Sequence, residues 1–353
     1  MKTSNKLFIA LNLLIYFTTM SMAQISEIPF NPMPKEFKPE IKWENDKLFV
    51  TYSTGIFYRD YSTGEVQEDW GQRWNQKWEM YGFAGHEIND FVINGDKILG
   101  TTSNPGPDGH LLIRSNDGGK TFEEFTPEEV KFFYTEGGGY DLKSLFLIQN
   151  PNNKNELLWY SSLLFKSDDF GETWEKLDIG GDVQSLKYHP IDSNIVIMGI
   201  NSYLMYMPNG SFYKSIDGGK TWESINYTES EFSISKEIAY HPTNENLIVL
   251  GSYPIIKSED KGVTWETIVE FEHDEGLDDI FPTNFEFDTR GSNRLYGIGQ
   301  KKNDSYSYMI PKSICYSDDF GATWVELCEI SLGEEDYVID FVQHDNNIYT
   351  YSK

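Results

Sequence analysis

Seven short stretches of the chain share one pattern of polar and apolar positions. They are Glu40-Ile41-Lys42-Trp43, Asp90-Phe91-Val92-Ile93, Phe146-Leu147-Ile148-Gln149, Ser185-Leu186-Lys187-Tyr188, Glu237-Ile238-Ala239-Tyr240, Asn284-Phe285-Glu286-Phe287 and Asp340-Phe341-Val342-Gln343. The second position is apolar in every one, as expected of strands whose inward residues form a column packed between sheets. Each stretch leads into a turn rich in Asn, Asp and Pro and then a second strand. Three run straight into proline, at Asn150-Pro151, His189-Pro190 and His241-Pro242. There the missing N–H removes a ladder donor and the fixed φ sets the turn.

A second pattern, Ser-x-Asp-x-Gly-x-Thr-aromatic, occurs five times, at Ser115–Phe122, Ser167–Trp174, Ser215–Trp222, Ser258–Trp265 and Ser317–Trp324. Its starts lie 52, 48, 43 and 59 residues apart, the length of one four-stranded sheet with its connections, which marks a repeat architecture. Each copy sits between strand-like runs, such as Leu163–Lys166 and Glu172–Leu177. The Asp-x-Gly core is therefore the tip of a hairpin. Its carboxylate is expected to bond backbone N–H groups two residues on, and its Gly to take the positive φ the turn needs. Ser and Thr flank the turn, and the aromatic residue returns apolar area to the core. The expected fold is an all-β propeller of four-stranded antiparallel blades, seven in number, with six as the alternative. In the first blade the motif is degenerate, around Asp60-Tyr-Ser62-Thr-Gly64, and the last blade stops after its second strand. Ile25–Phe30 is the expected donor that closes the ring from the N-terminal side.

The repeated motif resembles the Asp-box, or BNR, repeat of β-propellers, found in sialidases, xyloglucan-acting hydrolases, sortilin-type receptors and a photosystem assembly factor. The resemblance implies a propeller, and it implies that Asp117, Asp169, Asp217, Asp260 and Asp319 belong to structural hairpins on the side away from the ligand. It implies no single activity. Sialidase sites clamp a substrate carboxylate with three arginines; this chain has Arg59, Arg73, Arg114, Arg290 and Arg294, of which Arg114 immediately precedes a box. A sialidase site is not expected. Ser53-Thr-Gly55-Ile-Phe-Tyr58-Arg59 is similar to the stretch where xyloglucan-acting propellers carry a catalytic Asp ahead of Gly-Gly, but Ser53 stands at the Asp position. Ala239–Leu247 and Lys187–Ile195 are similar to blades of sortilin-type and photosystem-assembly propellers, which bind proteins without catalysis.

Composition adds a compartment and excludes some partners. Lys2 and Lys6, the apolar run Leu7–Phe17 and Ser21-Met22-Ala23 before Gln24 read as a secretory signal peptide over residues 1–23. A Pro-rich lead, 24–39, and the propeller, 40–353, follow, so a secreted or periplasmic protein is expected. The formal net charge of −27 opposes phosphate backbones and anionic lipids, so neither nucleic acid nor membrane is an expected partner; the expected state is a monomer. Cys315 and Cys328 lie symmetrically about the tip of the fifth box, and a cross-strand disulfide is expected between them.

In an up-and-down propeller the boxes occupy one face, and the variable connections gather on the other, where scaffold loops usually meet ligands. Long connections fall at Trp70–Glu87, Thr102–His110, Phe125–Asp141, Asn201–Ser211, Phe271–Thr283 and Gln300–Ile314. They supply aromatic candidates for ligand binding: Trp74, Trp78, Tyr81, Tyr140, Tyr203 and Tyr206. The position ahead of the apolar column holds Glu40, Asp90, Glu237 and Asp340. Carboxylates crowded at a channel mouth raise one another's pKa, so these four are the candidate catalytic acids. His86, His110 and His273 follow no metal-ligand spacing; no metal or cofactor is expected. The first functional expectation is glycan binding on the face opposite the boxes, with hydrolysis by two of those carboxylates as its extension. The alternative is a non-catalytic scaffold binding an extracellular protein or peptide.

Overall fold

The computed structural model describes residues 24–27, 41–52, 55–60, 79–102, 111–128, 146–161, 163–179, 182–201, 211–225, 237–251, 254–269, 281–302, 309–329, 338–344 and 347–352. Its first strand is β1 (Gln24–Glu27). Six four-stranded antiparallel blades follow. Blade 1 is β2 (Ile41–Glu44), β3 (Lys47–Tyr52), β4 (Gly55–Asp60) and β5 (Glu79–Gly82); blade 2 is β6 (Ile88–Asn94), β7 (Lys97–Thr102), β8 (Leu112–Ser115) and β9 (Glu123–Phe125). Blade 3 is β10 (Phe146–Asn150), β11 (Asn153–Tyr160), β12 (Leu164–Ser167) and β13 (Glu175–Leu177); blade 4 is β14 (Asp182–Tyr188), β15 (Val196–Asn201), β16 (Ser211–Ser215) and β17 (Glu223–Ser224). Blade 5 is β18 (Ile238–Tyr240), β19 (Ile248–Leu250), β20 (Ile255–Ser258) and β21 (Glu266–Val269); blade 6 is β22 (Phe281–Phe287), β23 (Leu295–Lys302), β24 (Met309–Ser317) and β25 (Val325–Glu329). A seventh sheet has three strands, in the order β1, β27 (Asn347–Ser352), β26 (Val338–His344).

All seven expected first strands are innermost strands, and their apolar column, from Ile41 to Phe341, is buried throughout. The core therefore lies between sheets. One cluster joins Val92 and Leu99 of blade 2 to Leu147, Leu157 and Trp159 of blade 3. The N-terminal donor strand is Gln24–Glu27, and it pairs parallel to β27, from Gln24↔Asn347 to Glu27↔Thr350. Trp43 of β2 stacks on His344 of β26, centroids 4.0 Å apart, which seals the junction of the first and last sheets.

The boxes are the hairpins between third and fourth strands, as expected, but their wiring differs in detail. In the first copy Thr121 donates its N–H to Asp117 Oδ1 (2.8 Å) and its hydroxyl to Oδ2 (2.6 Å). Ser115 Oγ accepts the Gly119 N–H at 2.8 Å and donates to Asp117 Oδ1 at 2.9 Å. The carboxylate thus spans four residues rather than two. The other four copies repeat the set.

Because the Thr donors favour the ionised form, Asp117 and Asp260 are held down at about 2; at Asp217 burial opposes this, yet the Thr221 and Ser215 donors still bring it to about 2. A depressed native pKa gives stability that is present above the unfolded value, near 3.8, and lost as pH falls through about 2. Thermal midpoints followed by circular dichroism should hold steady above about pH 5 and drop between about pH 4 and 2. A midpoint unchanged down to pH 2.5 would contradict this wiring.

The expected disulfide is corrected. Both cysteines are free, Cys315 buried and Cys328 half-buried. A bulge between Ile314 and Cys315 pairs Ile314 with Cys328 and Cys315 with Glu326. Adjacent strand residues face opposite sides of a sheet, so the register that looks symmetric in sequence puts the two thiols on opposite faces. Burial pushes Cys315 up to about 12 and raises Cys328 as well. Thiol titration without reductant should find two thiols in the unfolded protein and slow reaction in the native one; fewer than two would restore the bridge.

Candidate functional site

The first strands surround a central channel with a cavity of about 620 Å³. Its wall includes Lys42, Asp90, Lys187, Glu237, Glu286 and Asp340. The site is thus built from the innermost strands, whose outer edge pairs within the blade and whose inner edge faces the channel. Backbone N–H groups on such an inner edge need acceptors.

Asp90 meets that need. It is 6% exposed. Its Oδ1 accepts the Phe91 N–H at 2.7 Å, and its Oδ2 accepts the Leu147 N–H at 2.8 Å from the equivalent position of the next blade. Lys42 of the preceding blade pairs with Oδ1 and donates to the Phe91 carbonyl at 2.8 Å. One carboxylate therefore ties blades 1, 2 and 3 together. Asp340 repeats part of the pattern, accepting the Phe341 N–H at 2.8 Å and the Asn284 side-chain amide from blade 6. Glu237 lines the same wall and is half-buried; Glu40 lies outside the described residues.

Glu286, two positions beyond Asn284, is a wall residue that sequence reasoning missed. Burial raises its pKa, Lys187 opposes the rise and Asp340 adds to it. Asn284 sits at φ 49, inside a bulge between Thr283 and Glu286, and a bulge re-aims the side chains beside it. Lys42, Lys187 and Glu286 all occupy the position after the apolar column. That shared position was the available signal.

Of the aromatic candidates, only Tyr81 is among the described residues. Tyr81 is on outer strand β5, packed against Phe49 (4.9 Å between centroids) and Tyr58 (5.7 Å), because β5 lies far from the axis. Trp74, Trp78, Tyr140, Tyr203 and Tyr206 lie outside the described residues. The segment 61–78, which holds Trp74 and Trp78, joins β4 to β5. That is the third-to-fourth-strand connection, so its two ends, Asp60 and Glu79, belong to the box face. His86 pairs with Glu124 at 2.6 Å; His110 and His273 are outside the described residues.

Two unforeseen histidines hold the turns. His189 Nδ1 accepts the N–H groups of Ile191 (3.1 Å) and Asp192 (3.0 Å), so its Nε2 carries the proton it gives to the Glu245 carbonyl of the next blade at 3.0 Å. Burial lowers its pKa and keeps it neutral. His241 accepts Thr243 and Asn244 N–H groups in the same way. Among the described residues no group of three or more His, Cys, Asp or Glu is arranged to hold a metal ion.

The fold is a β-propeller, and five of its hairpins carry the Ser-x-Asp-x-Gly-x-Thr-aromatic motif. The family model described as BNR-Asp box repeat matches residues 164–177, which is β12, the box of blade 3 and β13. The sequence matches no curated relative. Among solved structures, the chain is similar to YCF48 from Cyanidioschyzon merolae, at 13% identity and a TM-score of 0.53, over 89% of this chain and 92% of that one. It is also similar to the GH74 xyloglucanase from Xanthomonas campestris, at 17% identity and a TM-score of 0.51, over 81% of this chain and 44% of that one. The chain thus spans less than half of the xyloglucanase, and both likenesses are of fold.

Proposed function

We propose that the protein is a secreted binding module that takes an extended polypeptide segment across the face opposite the boxes and does not hydrolyse its ligand. The observation that carries this reading is Asp90. Both of its oxygens accept main-chain N–H groups and one also meets Lys42. A general acid must hold and release a proton toward the ligand, and a nucleophile must present a lone pair to it; Asp90 is fixed in neither role.

Tryptophan placement favours polypeptide over glycan. Sugar faces are met best by exposed indole rings. Of nine tryptophans, Trp159 and Trp174 are buried, Trp222, Trp265 and Trp324 close boxes, and Trp43 stacks on His344. Trp70, Trp74 and Trp78 lie outside the described residues. An extended peptide needs no such platform: it uses main-chain groups and charge.

A glycan array and product analysis on soluble β-glucans, run beside a peptide library, should give peptide binding and no released sugar. Sugar release at a rate above that of the Asp90→Asn variant would overturn the non-catalytic reading.

A further inference from the structure

The residue that follows each shared four-residue stretch opens the turn between first and second strands. In blades 3, 4, 5 and 6 it is Asn150, His189, His241 and Asp288, all buried. Each accepts main-chain N–H groups of its own turn. Asn150 Oδ1 takes those of Asn152 and Asn153 at 2.8 and 3.2 Å, and Asp288 Oδ1 takes that of Arg290 at 3.0 Å. His189 Nδ1 takes Ile191 and Asp192 at 3.1 and 3.0 Å, and His241 Nδ1 takes Thr243 and Asn244 at 3.2 and 2.9 Å. The imidazole nitrogen stands where blade 3 has an amide oxygen, with one difference. An amide oxygen keeps its lone pairs at any pH, whereas a protonated imidazole is a donor at both nitrogens.

The His189 turn also joins three blades. Asn152 of blade 3 donates to the Ile191 carbonyl at 3.0 Å, His189 Nε2 donates to the Glu245 carbonyl of blade 5 at 3.0 Å, and Lys261 of the blade 5 box reaches the carboxylates of Asp192 at 3.5 Å and Glu245 at 2.9 Å. The charged groups around His189 are therefore Asp192 on its own turn and Glu245 and Lys261 from blade 5. The Tyr240 ring packs on it with centroids 4.8 Å apart and stays un-ionised, since burial raises its pKa. Around His241 they are Asp288 of blade 6, already bonded to Arg290 and Ser292, together with the neutral Asn293 amide and the Phe287 ring. We propose that His189 and His241 make the turns of blades 4 and 5 an acid-operated latch: protonation turns Nδ1 from acceptor to donor, expels the N–H groups it holds and loosens the blade seams there, while the Asn150 turn of blade 3 stays closed. Burial lowers both histidine pKa values below the ordinary 6.5, so an open turn takes the proton more readily than a closed one. Closure is at full strength above about pH 6.5 and is lost as pH falls toward the lowered native values. Because the opening is local, it removes the turns' own bonds and moves the thermal midpoint little.

Amide hydrogen exchange followed by NMR on the full-length protein, at about pH 7.5 and about pH 5 and corrected for intrinsic exchange rates, tests the latch. Protection of Ile191, Asp192, Thr243 and Asn244 should fall about tenfold at the lower pH, and that of Asn152 and Asn153 should not change. His189→Asn gives blade 4 the Asn-Pro pair that blade 3 carries. It should make protection of Ile191 and Asp192 independent of pH and leave Thr243 and Asn244 sensitive. His241→Asn should give the reciprocal result, and it serves by itself if the first variant does not fold. Equal protection at both pH values in the parent protein, or a loss at the lower pH that persists at the substituted turn, overturns the inference.

Discussion

Asp90→Ala should lower the unfolding free energy by about 3–5 kcal/mol. The substitution removes one acceptor set from three donors at once. Lys42, 29% exposed, loses its carboxylate partner, and the N–H groups of Phe91 and Leu147 lose acceptors at 2.7 and 2.8 Å. Buried N–H groups left without an acceptor cost more than the loss of an exposed side chain, so the loss should exceed that of any substitution at an exposed carboxylate. Asp90→Asn keeps the shape and one carbonyl acceptor, and about 1–2 kcal/mol is expected. Adding Lys42→Met to Asp90→Ala should recover part of the loss, since it removes a charge that has lost its carboxylate. Urea unfolding measures all three, and an Asp90→Ala protein within about 0.5 kcal/mol of the parent would mean that Asp90 is not the tie between blades.

Trp159→Ala should cost a similar amount, about 3–5 kcal/mol, for a different reason. Trp159 is 0% exposed and sits between blades 2 and 3 against Phe165 and Trp174, with centroids 5.5 and 5.3 Å away. Neighbours held in rigid sheets cannot collapse into the space an indole leaves. Trp324 and Trp222, which are only partly buried at their boxes, should cost less when changed to Ala. Thermal unfolding ranks the three variants, and equal losses would contradict a core concentrated between sheets.

Much of the scaffold was legible because its signals are local. Ser115–Phe122 and its four repeats carry their own hydrogen-bonding groups, so five hairpins could be placed without knowing any tertiary contact. The first strands were equally legible, since Ile41, Phe91 and their counterparts obey one alternation. The site was less so. Asp90 reads as a candidate acid until Leu147, 57 residues away, is seen to donate to it, and that approach is set by the curvature of the ring. Glu286 was overlooked because only the position ahead of the apolar column was read as facing the channel, whereas the position after it, shared with Lys42 and Lys187, faces the same way. Cys315 and Cys328 differ again, since their symmetry in sequence is broken by one extra residue. The expectation for the connection that holds Trp74 and Trp78 falls on residues outside those described, between β4 and β5.

Within the boxes, Gly119 illustrates how sequence and packing meet. It takes φ +83, and a Cβ there would lie 2.5 Å from the Tyr81 carbonyl oxygen of the neighbouring blade. The turn needs glycine for its dihedral, and the blade-to-blade approach needs it for space. The box face is consequently a packed, structural surface at this position, in keeping with the proposed binding at the other end of the sheets.

Hydrogen exchange on the protein, with and without a peptide selected from the library, tests this division of faces most directly. Protection should appear where the first strands begin, around Asp90, Glu237 and Asp340, and be absent from Ser115–Phe122, Ser167–Trp174 and the other boxes. Protection confined to the boxes, with the first strands unchanged, would contradict the account.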